Sequence, residues 1–485
     1  MIFKMIPRSW KFFLGVFVVL RLIFWFTAFP NSDEAYYWLW GQHPDFSYYD
    51  HPPLQAWLQG IVTSVFGRSN FALRLPNLFS NVTFFWTYFL ILRYLYKDSK
   101  LYNFIFVMLL VLASPLYFVF LGLAWHDHLL ITFSLVSAYL FIRFLDGYLA
   151  NGRGETWRLY GSGGAIALAA LCKYNAIFVP LGFLATILTT ARLRPLLLDR
   201  RLYVAVAISL CALIPIAIWN VLNDFQSFQY YFNRSVNPVS PGIKIWSLIG
   251  FLGFSFLIVS PFCCIGFYRL LKTRFDSINS IYPSVAFWVF AISSSILTVI
   301  SLISAAIYYW NITAYLLLFP LLPLVLKKIN PHAIFGAILS ALIVFHYTVL
   351  PLSALISSDA TVDPDSRMLF GWKEVAAIVQ SQASELNAPL IVTSDYRSAS
   401  ALAYQMNYKN VIAISDRVDQ FDFWNRDPHV LKGKDAVIIS DDWFPAELMV
   451  LSKFESVSSP VTVPVTRLGV RIKHYYVRKG YSFIP

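Results

Sequence analysis

Charged side chains are scarce in this sequence. Asp, Glu, Lys and Arg make up only 13% of the 485 residues, whereas 58% are hydrophobic and 18% are aromatic. Soluble domains usually carry about 25% charged residues. The composition therefore excludes an ordinary water-soluble globule and predicts an integral membrane protein.

Cysteine is also rare, and its placement excludes two further kinds of site. The four cysteines all lie inside apolar stretches: Cys172, Cys211, Cys263 and Cys264. Disulfide frameworks and metal-thiolate sites show characteristic cysteine spacings, which are lacking here. We therefore expect neither a disulfide framework nor a metal-thiolate site.

The net charge of +12 could suggest nucleic acid. However, no basic stripe, zinc-finger spacing or nucleic-acid-binding motif accompanies this charge. Lysine and arginine instead fall in short clusters between apolar runs, the distribution that orients a membrane protein. We therefore expect membrane lipid, and not nucleic acid, as a partner.

Membrane-length apolar runs dominate the first three quarters of the chain. A spanning helix needs about 20 mainly apolar residues. This criterion predicts eleven transmembrane helices, near residues 11–29, 73–94, 101–122, 128–146, 160–172, 174–190, 202–221, 245–270, 283–305, 308–326 and 332–353. The first run follows basic residues as a signal peptide does, but its end, AFPNSDE, lacks the small residues of a cleavage site, so we interpret it as a retained helix.

Residues 160–190 are interpreted as two short helices that turn at Lys173. A single span there would place the ARLRPLLLDRR cluster on the outer side, against the positive-inside rule. With two helices, most lysines and arginines between spans lie on one side, which is then cytoplasmic. This assignment predicts a cytoplasmic N-terminus and an extracytoplasmic C-terminus.

The character of the sequence changes after residue 353, where charged residues appear and membrane-length runs end. The helical patterns GWKEVAAIVQSQASEL and SASALAYQM alternate with the strand patterns APLIVTSDY, NVIAIS and DAVIISDDW, and IKHYYVRKGY is a final alternating strand. We therefore predict a transmembrane domain over residues 1–353 and a periplasmic α/β domain over residues 354–485.

Two polar corners lie on the first predicted outer loop. Asp33 and Glu34 precede AYYWLW, whose aromatic residues suit a helix at the membrane interface. Asp50 and His51 precede two prolines, which impose an extended entry into the next helix. A carboxylate at a helix start can simply be a cap, but two rigid polar corners on one loop favour a site for a polar substrate.

The segment WHDHLLI adds a third polar group at the outer end of the predicted fourth span. Asp127 is costly beside a membrane unless it is paired or functional, and a partly solvated helix cap is the alternative. Together with the acidic and histidine residues of the first loop it could hold a divalent cation, although the spacing matches no defined metal motif. A divalent metal ion is the one cofactor that we consider, and the sequence does not establish that one is required.

Two basic residues complete the candidate site. Lys173 interrupts an apolar run at its predicted outer turn, and Arg234 lies in the outer loop SFQYYFNRSVNP. A lipid-linked phosphate needs such cations, since Arg offers paired donors and Lys a point charge. A snorkelling residue at the membrane interface is the alternative for either one alone.

These segments together resemble a known family. NSDEAYYWLW, SYYDHPPLQAWL, HDHLLITFSL and LCKYNAIFVP, followed by an aromatic-rich outer loop ending in Arg, are similar to segments of the GT-C glycosyltransferases of families 39 and 83. Those families include protein O-mannosyltransferases and bacterial enzymes that add aminoarabinose or galacturonic acid to lipid A or core sugars. The resemblance covers roughly residues 1–330 and implies a GT-C fold. The outer α/β domain is in keeping with the bacterial members.

The resemblance also implies roles for individual residues. Asp33 matches an aspartate that acts as catalytic base or orients the acceptor, whereas His51 departs from the lysine that the aminoarabinose enzymes have there. In all, the resemblance assigns catalysis to Asp33 and Glu34, donor-phosphate binding to His51, Lys173 and Arg234, and metal contacts to Asp50 and Asp127.

The implied function is an inverting hexosyl- or pentosyltransferase of the bacterial inner membrane that modifies lipopolysaccharide or another envelope molecule. Its donor would be a polyprenyl-phosphate sugar, and its acceptor a lipid, glycan or protein at the outer membrane face. A lipid-linked sugar flippase or other transporter is the alternative. Transporters usually keep charged groups at midplane and show internal repeats, whereas here the polar segments lie at one face and no repeat is evident.

Overall fold

The structure is a computed structural model that describes residues 6–235, 242–304, 306–386 and 389–485, without the side chains of residues 234 and 235. Contacts divide the chain into two compact units with interleaved segments. Unit 1 contains residues up to 21, 45–55 and 75–340, and unit 2 contains residues 22–44, 56–74 and 341–485. The division into a membrane domain and a periplasmic domain at residue 353 stays a prediction.

The chain is helical up to residue 348. The α-helices are α1 (Arg8–Thr27), α2 (Ser32–Gln42), α3 (Leu54–Phe66), α4 (Asn70–Leu73), α5 (Leu75–Tyr96), α6 (Lys100–Leu112), α7 (Pro115–Phe120), α8 (His126–Asn151), α9 (Thr156–Ala170), α10 (Phe178–Thr189), α11 (Arg200–Leu210), α12 (Leu213–Leu222), α13 (Gln226–Ser235), α14 (Ile245–Val259), α15 (Pro261–Leu270), α16 (Tyr282–Ile303) and α17 (Asn330–Thr348). Short 3₁₀ helices cover Lys97–Ser99, Tyr174–Ile177, Ala191–Leu198, Tyr308–Tyr315 and Phe319–Leu324.

The prediction of a polytopic helical membrane protein is confirmed. Within the described residues, five helical segments are long and apolar enough to cross a membrane, and eight if each of three bent helix pairs is one span. The predicted interruption of the helix at Lys173 is present, because its backbone is extended (φ −160°, ψ 142°) between α9 and the 3₁₀ helix Tyr174–Ile177. That the two helices form a hairpin stays a prediction.

Several of the eleven predicted spans are not single straight helices; residues 202–221, for example, form α11 and α12, which meet at 45°. Residues 245–270 are not one helix, since α14 and α15 meet at 98° at Ser260, whose φ of 97° lies outside helical geometry. Residues 308–326 form 3₁₀ helices rather than an α-helix. Pro320 and Pro323 lie in this segment and lack the N–H groups that a continuous α-helix requires.

The C-terminal region is an α/β structure, as predicted. Its helices are α18 (Ser353–Ile356), α19 (Pro364–Arg367), α20 (Trp372–Ser384), α21 (Tyr396–Met406), α22 (Gln420–Trp424) and α23 (Leu448–Leu451), with a 3₁₀ helix at Pro428–Leu431. Its strands are β1 (Leu390–Thr393), β2 (Val411–Ala413), β3 (Ala436–Asp441), β4 (Phe454–Val457), β5 (Val461–Arg467) and β6 (Val470–Phe483). The strand order is β2-β1-β3-β6-β4, and β5 pairs with β6.

The sheet combines two kinds of pairing. β1 pairs in parallel with both β2 and β3, whereas β6 is antiparallel to β3, β4 and β5. Val392, Ala436 and Ile438 lie in a fully buried cluster with Phe454 and Phe483. Burial of the parallel strands on both faces explains why their sequences are continuous apolar runs.

Candidate active site

The first polar corner is built by a capping box at the start of α2. The side chain of Asn31 accepts a hydrogen bond from the backbone N–H of Glu34 at 2.9 Å, and Glu34 Oε2 accepts one from the N–H of Asn31 at 3.1 Å. Each residue thus satisfies a backbone donor that the first helical turn leaves unpaired. This fixes the direction in which α2 leaves α1.

Glu34 also forms a fully buried ion pair with Arg74. Its two carboxylate oxygens lie 2.8 and 2.7 Å from Arg74 Nε and Nη2, and neither side chain has solvent exposure. Arg74 Nη1 donates to the carbonyl of Ala28 at 2.9 Å, at the end of α1. Glu34 therefore has a complete set of structural partners, and the half-buried Asp33 is the other acid of this motif.

The aromatic residues of α2 pack against the C-terminal α/β structure within unit 2. The hydroxyl of Tyr36 accepts a hydrogen bond from the N–H of Gln420 at 2.8 Å, and its ring lies 4.8 Å from that of Tyr396. Trp38 makes an edge contact with Tyr404 at 5.2 Å. These rings are buried in protein. The position of α2 at the membrane interface stays a prediction.

The charge of Asp33 acts electrostatically on Arg397, a cation of the α/β structure. Burial opposes the charge on Arg397, but the neighbouring Tyr396, Asp33 and Asp365 raise the pKa of its guanidinium. This neighbour of Asp33 lies 364 positions further along the chain, so the sequence carried no signal for it.

In unit 1, the structure brings two predicted site residues together. Lys173 Nζ lies 3.0 Å from both carboxylate oxygens of Asp127, and both residues are buried. The same ammonium lies 4.8 Å from the centre of the Tyr309 ring. Asp127 and Lys173 thus form one ion pair. The sequence analysis had given them separate roles, in metal contact and in phosphate binding.

A second group in unit 1 forms around His51. The hydroxyl of Tyr231 lies 2.8 Å from His51 Nδ1 and donates to the backbone carbonyl of Asp50. The His51 ring lies 4.6 Å from that of His126. Tyr231, on α13, was missed by sequence analysis because tyrosines are too common here to stand out. Arg234 lies on the same helix, and its side chain is outside the described residues.

His128, on the other side of Asp127, belongs to a buried structural network. Its Nδ1 lies 2.7 Å from Ser80 Oγ and its Nε2 lies 3.0 Å from Gln55 Oε1. Gln55 in turn donates to the carbonyl of Ala124 at 2.9 Å. These contacts hold the start of α8, and therefore Asp127, in place.

Among the described residues, no group of three or more His, Cys, Asp and Glu side chains is arranged to hold a metal ion. Asp127 has both oxygens on Lys173 instead. The metal contacts predicted for Asp50 and Asp127 stay predictions.

A large apolar cavity lies in the helical part of unit 1. Its volume is about 580 Å³, and its lining includes Phe251, Phe256 and Phe287 together with the more polar Asn311 and Tyr315. The 3₁₀ helix Tyr308–Tyr315 thus lines this cavity and also carries Tyr309, the ring beside Lys173. One short segment therefore links an apolar cavity to a buried charged pair.

Comparison with known proteins agrees with this architecture. Residues 50–219 match the family described as dolichyl-phosphate-mannose-protein mannosyltransferase. The crystal structure of ArnT from Cupriavidus metallidurans bound to undecaprenyl phosphate superimposes with a TM-score of 0.62 at 15% identity, covering 96% of this chain and 97% of that one. The chain has the GT-C fold. The GT-C resemblance inferred from the sequence motifs is thereby confirmed.

Two curated proteins of Rhizobium johnstonii are similar to this GT-C chain in sequence. The lipid A galacturonosyltransferase RgtD is 24% identical over 325 residues, and the lipopolysaccharide core galacturonosyltransferase RgtA is 30% identical over 208 residues. These matches cover 64% and 42% of this chain. The chain spans 64% of the length of RgtD and 39% of that of RgtA.

Proposed function

We propose that the chain is an inner-membrane glycosyltransferase that moves a sugar from a polyprenyl-phosphate donor to a lipopolysaccharide-type glycolipid at the outer face of the membrane. The observation that carries this proposal is the buried Asp127 and Lys173 pair, linked by the segment of Tyr309 to an apolar cavity. A cation and an apolar cavity suit the phosphate and the prenyl chain of one ligand. The relatives named as lipid A and lipopolysaccharide core galacturonosyltransferases support this class of acceptor.

The proposed reaction is a single displacement at the anomeric carbon. An acceptor hydroxyl forms the new C–O bond while the bond from that carbon to the phosphate oxygen breaks, so configuration inverts. We propose Asp33 as the base that takes the hydroxyl proton, and Lys173 and Arg234 as the cations that neutralise the departing phosphate. Glu34 holds α2 through Arg74 and Asn31 instead of exchanging protons.

The N-terminus is proposed to lie in the cytoplasm and the α/β domain in the periplasm.

A transfer assay with the full-length protein in lipid vesicles tests this function. Undecaprenyl phosphate carrying radiolabelled galacturonic acid, aminoarabinose or mannose is supplied with lipid A or core lipopolysaccharide. We expect label from one of the donors to appear in the glycolipid, with undecaprenyl phosphate as the second product. If the intact donor instead crosses the vesicle membrane and no sugar is transferred, the protein is a transporter and the proposal is wrong.

The role of Lys173 is tested by a pair of variants. Lys173→Met removes a buried cation, and we expect the Kd for undecaprenyl phosphate to rise about tenfold or more. The variant also leaves the Asp127 carboxylate buried without its partner, so instability could imitate this effect.

The double variant Lys173→Met with Asp127→Asn separates the two effects, because it removes both charges together. We expect it to unfold close to the wild-type temperature while its affinity for undecaprenyl phosphate stays low. Lys432→Met, at an exposed position of the C-terminal α/β structure, is the control. Wild-type affinity in the double variant would show that Lys173 has no part in phosphate binding.

A further inference from the structure

The α/β structure of unit 2 has a topological switch point. β1 lies between β2 and β3, all three parallel, so the chain leaves β1 towards one neighbour and later returns to the other side. In open α/β sheets, the loops at the carboxyl ends of such strands diverge and leave a crevice that binds ligands. Here they correspond to residues 394–397, which follow β1 and include the start of α21, and residues 441–444, at the end of β3. We call these two segments the switch-point crevice.

Side chains in the crevice loops hold the two loops in fixed positions. Asp441 Oδ1 accepts hydrogen bonds from the N–H groups of Trp443 and Phe444 at 2.9 and 2.7 Å, and its other oxygen is paired with Lys473. The hydroxyl of Ser394 donates to the carbonyl of Phe444 across the two strand ends. These contacts fix the two segments relative to each other.

Arg397 is the cation of the switch-point crevice. Its guanidinium carbon lies 4.7 Å from the Trp443 ring and 4.8 Å from the Tyr396 ring. Its one ion pair within the described ranges is a long 3.8 Å contact to Asp365, whose side chain is 69% exposed. Stacking on aromatic rings orients the planar guanidinium group of an arginine and leaves its N–H groups available for a carboxylate or a phosphate.

Asp395 adds a buried acceptor to the same loop. Its Oδ1 caps α21 by accepting from the N–H groups of Arg397 and Ser398, at 2.8 and 3.0 Å. Its Oδ2 is buried and has no hydrogen-bond partner in the part of the chain that the structure describes. Burial, followed by the charge of Asp441, raises the pKa of Asp395 to about 6. Because a lone buried acceptor is costly, a ligand hydroxyl that donated to it would relieve that cost.

We propose that the switch-point crevice binds the acidic sugar head of the acceptor glycolipid, with Arg397 on a phosphate or carboxylate and the half-buried Trp443 against a sugar ring. This inference rests on the proposed transferase function and adds the acceptor site to it. Asp33, whose charge acts on Arg397, would then lie beside the bound acceptor, where a base is needed to take the proton from its hydroxyl.

The test is a binding measurement on the full-length protein in detergent, with no donor present. The probes are lipid A with its phosphates, dephosphorylated lipid A, and dephosphorylated lipid A carrying two Kdo sugars, which distinguishes a phosphate from a carboxylate. We expect the wild type to bind at least one acidic probe about tenfold or more tightly than the neutral lipid A. We expect Arg397→Gln to reduce that preference to about twofold or less and Arg397→Lys to retain part of it.

Two controls make the result specific. Arg471→Gln, at an exposed position of β6, is expected to keep the full preference. The Kd for undecaprenyl phosphate is expected to be unchanged in Arg397→Gln, which also shows that the variant is folded. The proposal is overturned if the wild type has no preference, if Arg397→Gln keeps it, or if this variant loses undecaprenyl phosphate binding equally. If the wild type prefers an acidic probe but transfers no sugar in the vesicle assay, the proposed function is contradicted and the proposed acceptor site is not.

Discussion

The Asp33→Asn variant is expected to transfer sugar about 10³-fold more slowly than the wild type. This is the size of effect seen when a positioned proton acceptor is removed. Asn has the shape of Asp, but its neutral amide cannot take a proton from the acceptor hydroxyl. Its polar side chain also suits the first turn of a helix. The neighbouring Glu34 does not replace it, since both of its oxygens are on Arg74 and one also accepts from Asn31.

Initial rates of sugar transfer at saturating donor measure this effect. We expect undecaprenyl phosphate to bind Asp33→Asn as it binds the wild type, because the change removes proton transfer and not the phosphate site. Asp98→Asn, at an exposed position in the 3₁₀ helix after α5, is the matched control with the same chemical change. A rate within about threefold of the wild type would remove Asp33 from the role of base.

The second large effect concerns stability. Arg74→Met leaves the Glu34 carboxylate fully buried without its partner, which typically costs about 3–5 kcal/mol. It also removes the hydrogen bonds from Arg74 to the carbonyls of Phe24 and Ala28 that tie the end of α1 to this site. We expect a clearly lower unfolding temperature and faster proteolysis near residues 28–34.

The double variant Arg74→Met with Glu34→Gln separates charge burial from the loss of the carbonyl contacts. Because it leaves no buried charge, we expect it to recover a large part of the lost stability. Recovery is read as the unfolding temperature of the purified full-length protein in the same detergent. If Arg74→Met unfolds at the wild-type temperature, the ion pair does not hold the first polar corner.

Much of this architecture could be read from local patterns. The long apolar runs at α1, α8 and α16 predicted membrane helices because each one satisfies its backbone internally and needs no distant partner. The strands β1 and β3 were also predictable, since their apolar runs are bounded by turn residues. The break between two short helices at Lys173 was predicted from the charge rule applied to the loops on either side of it.

Other elements could not be read in this way. The bend between α14 and α15 and the 3₁₀ form of Tyr308–Tyr315 interrupt runs whose hydropathy is that of a continuous span. Hydropathy depends on composition and is therefore insensitive to the local backbone geometry that separates a bent span from a straight one. The strands β4 and β5 were missed because their polar faces are solvent-exposed and their sequences contain few buried residues.

The sequence by itself determined the membrane class, the α/β character of the C-terminal region and the polar segments that resemble GT-C glycosyltransferases. Only the tertiary structure decided the partners of those segments: Glu34 with Arg74, Asp127 with Lys173, and α2 with α21. Side chains of opposite charge attract at any separation along the chain, so a sequence contains many equally plausible pairs. The packing of helices selects one of them, because burial makes every unpaired charge costly and leaves stable only the arrangement that pairs them.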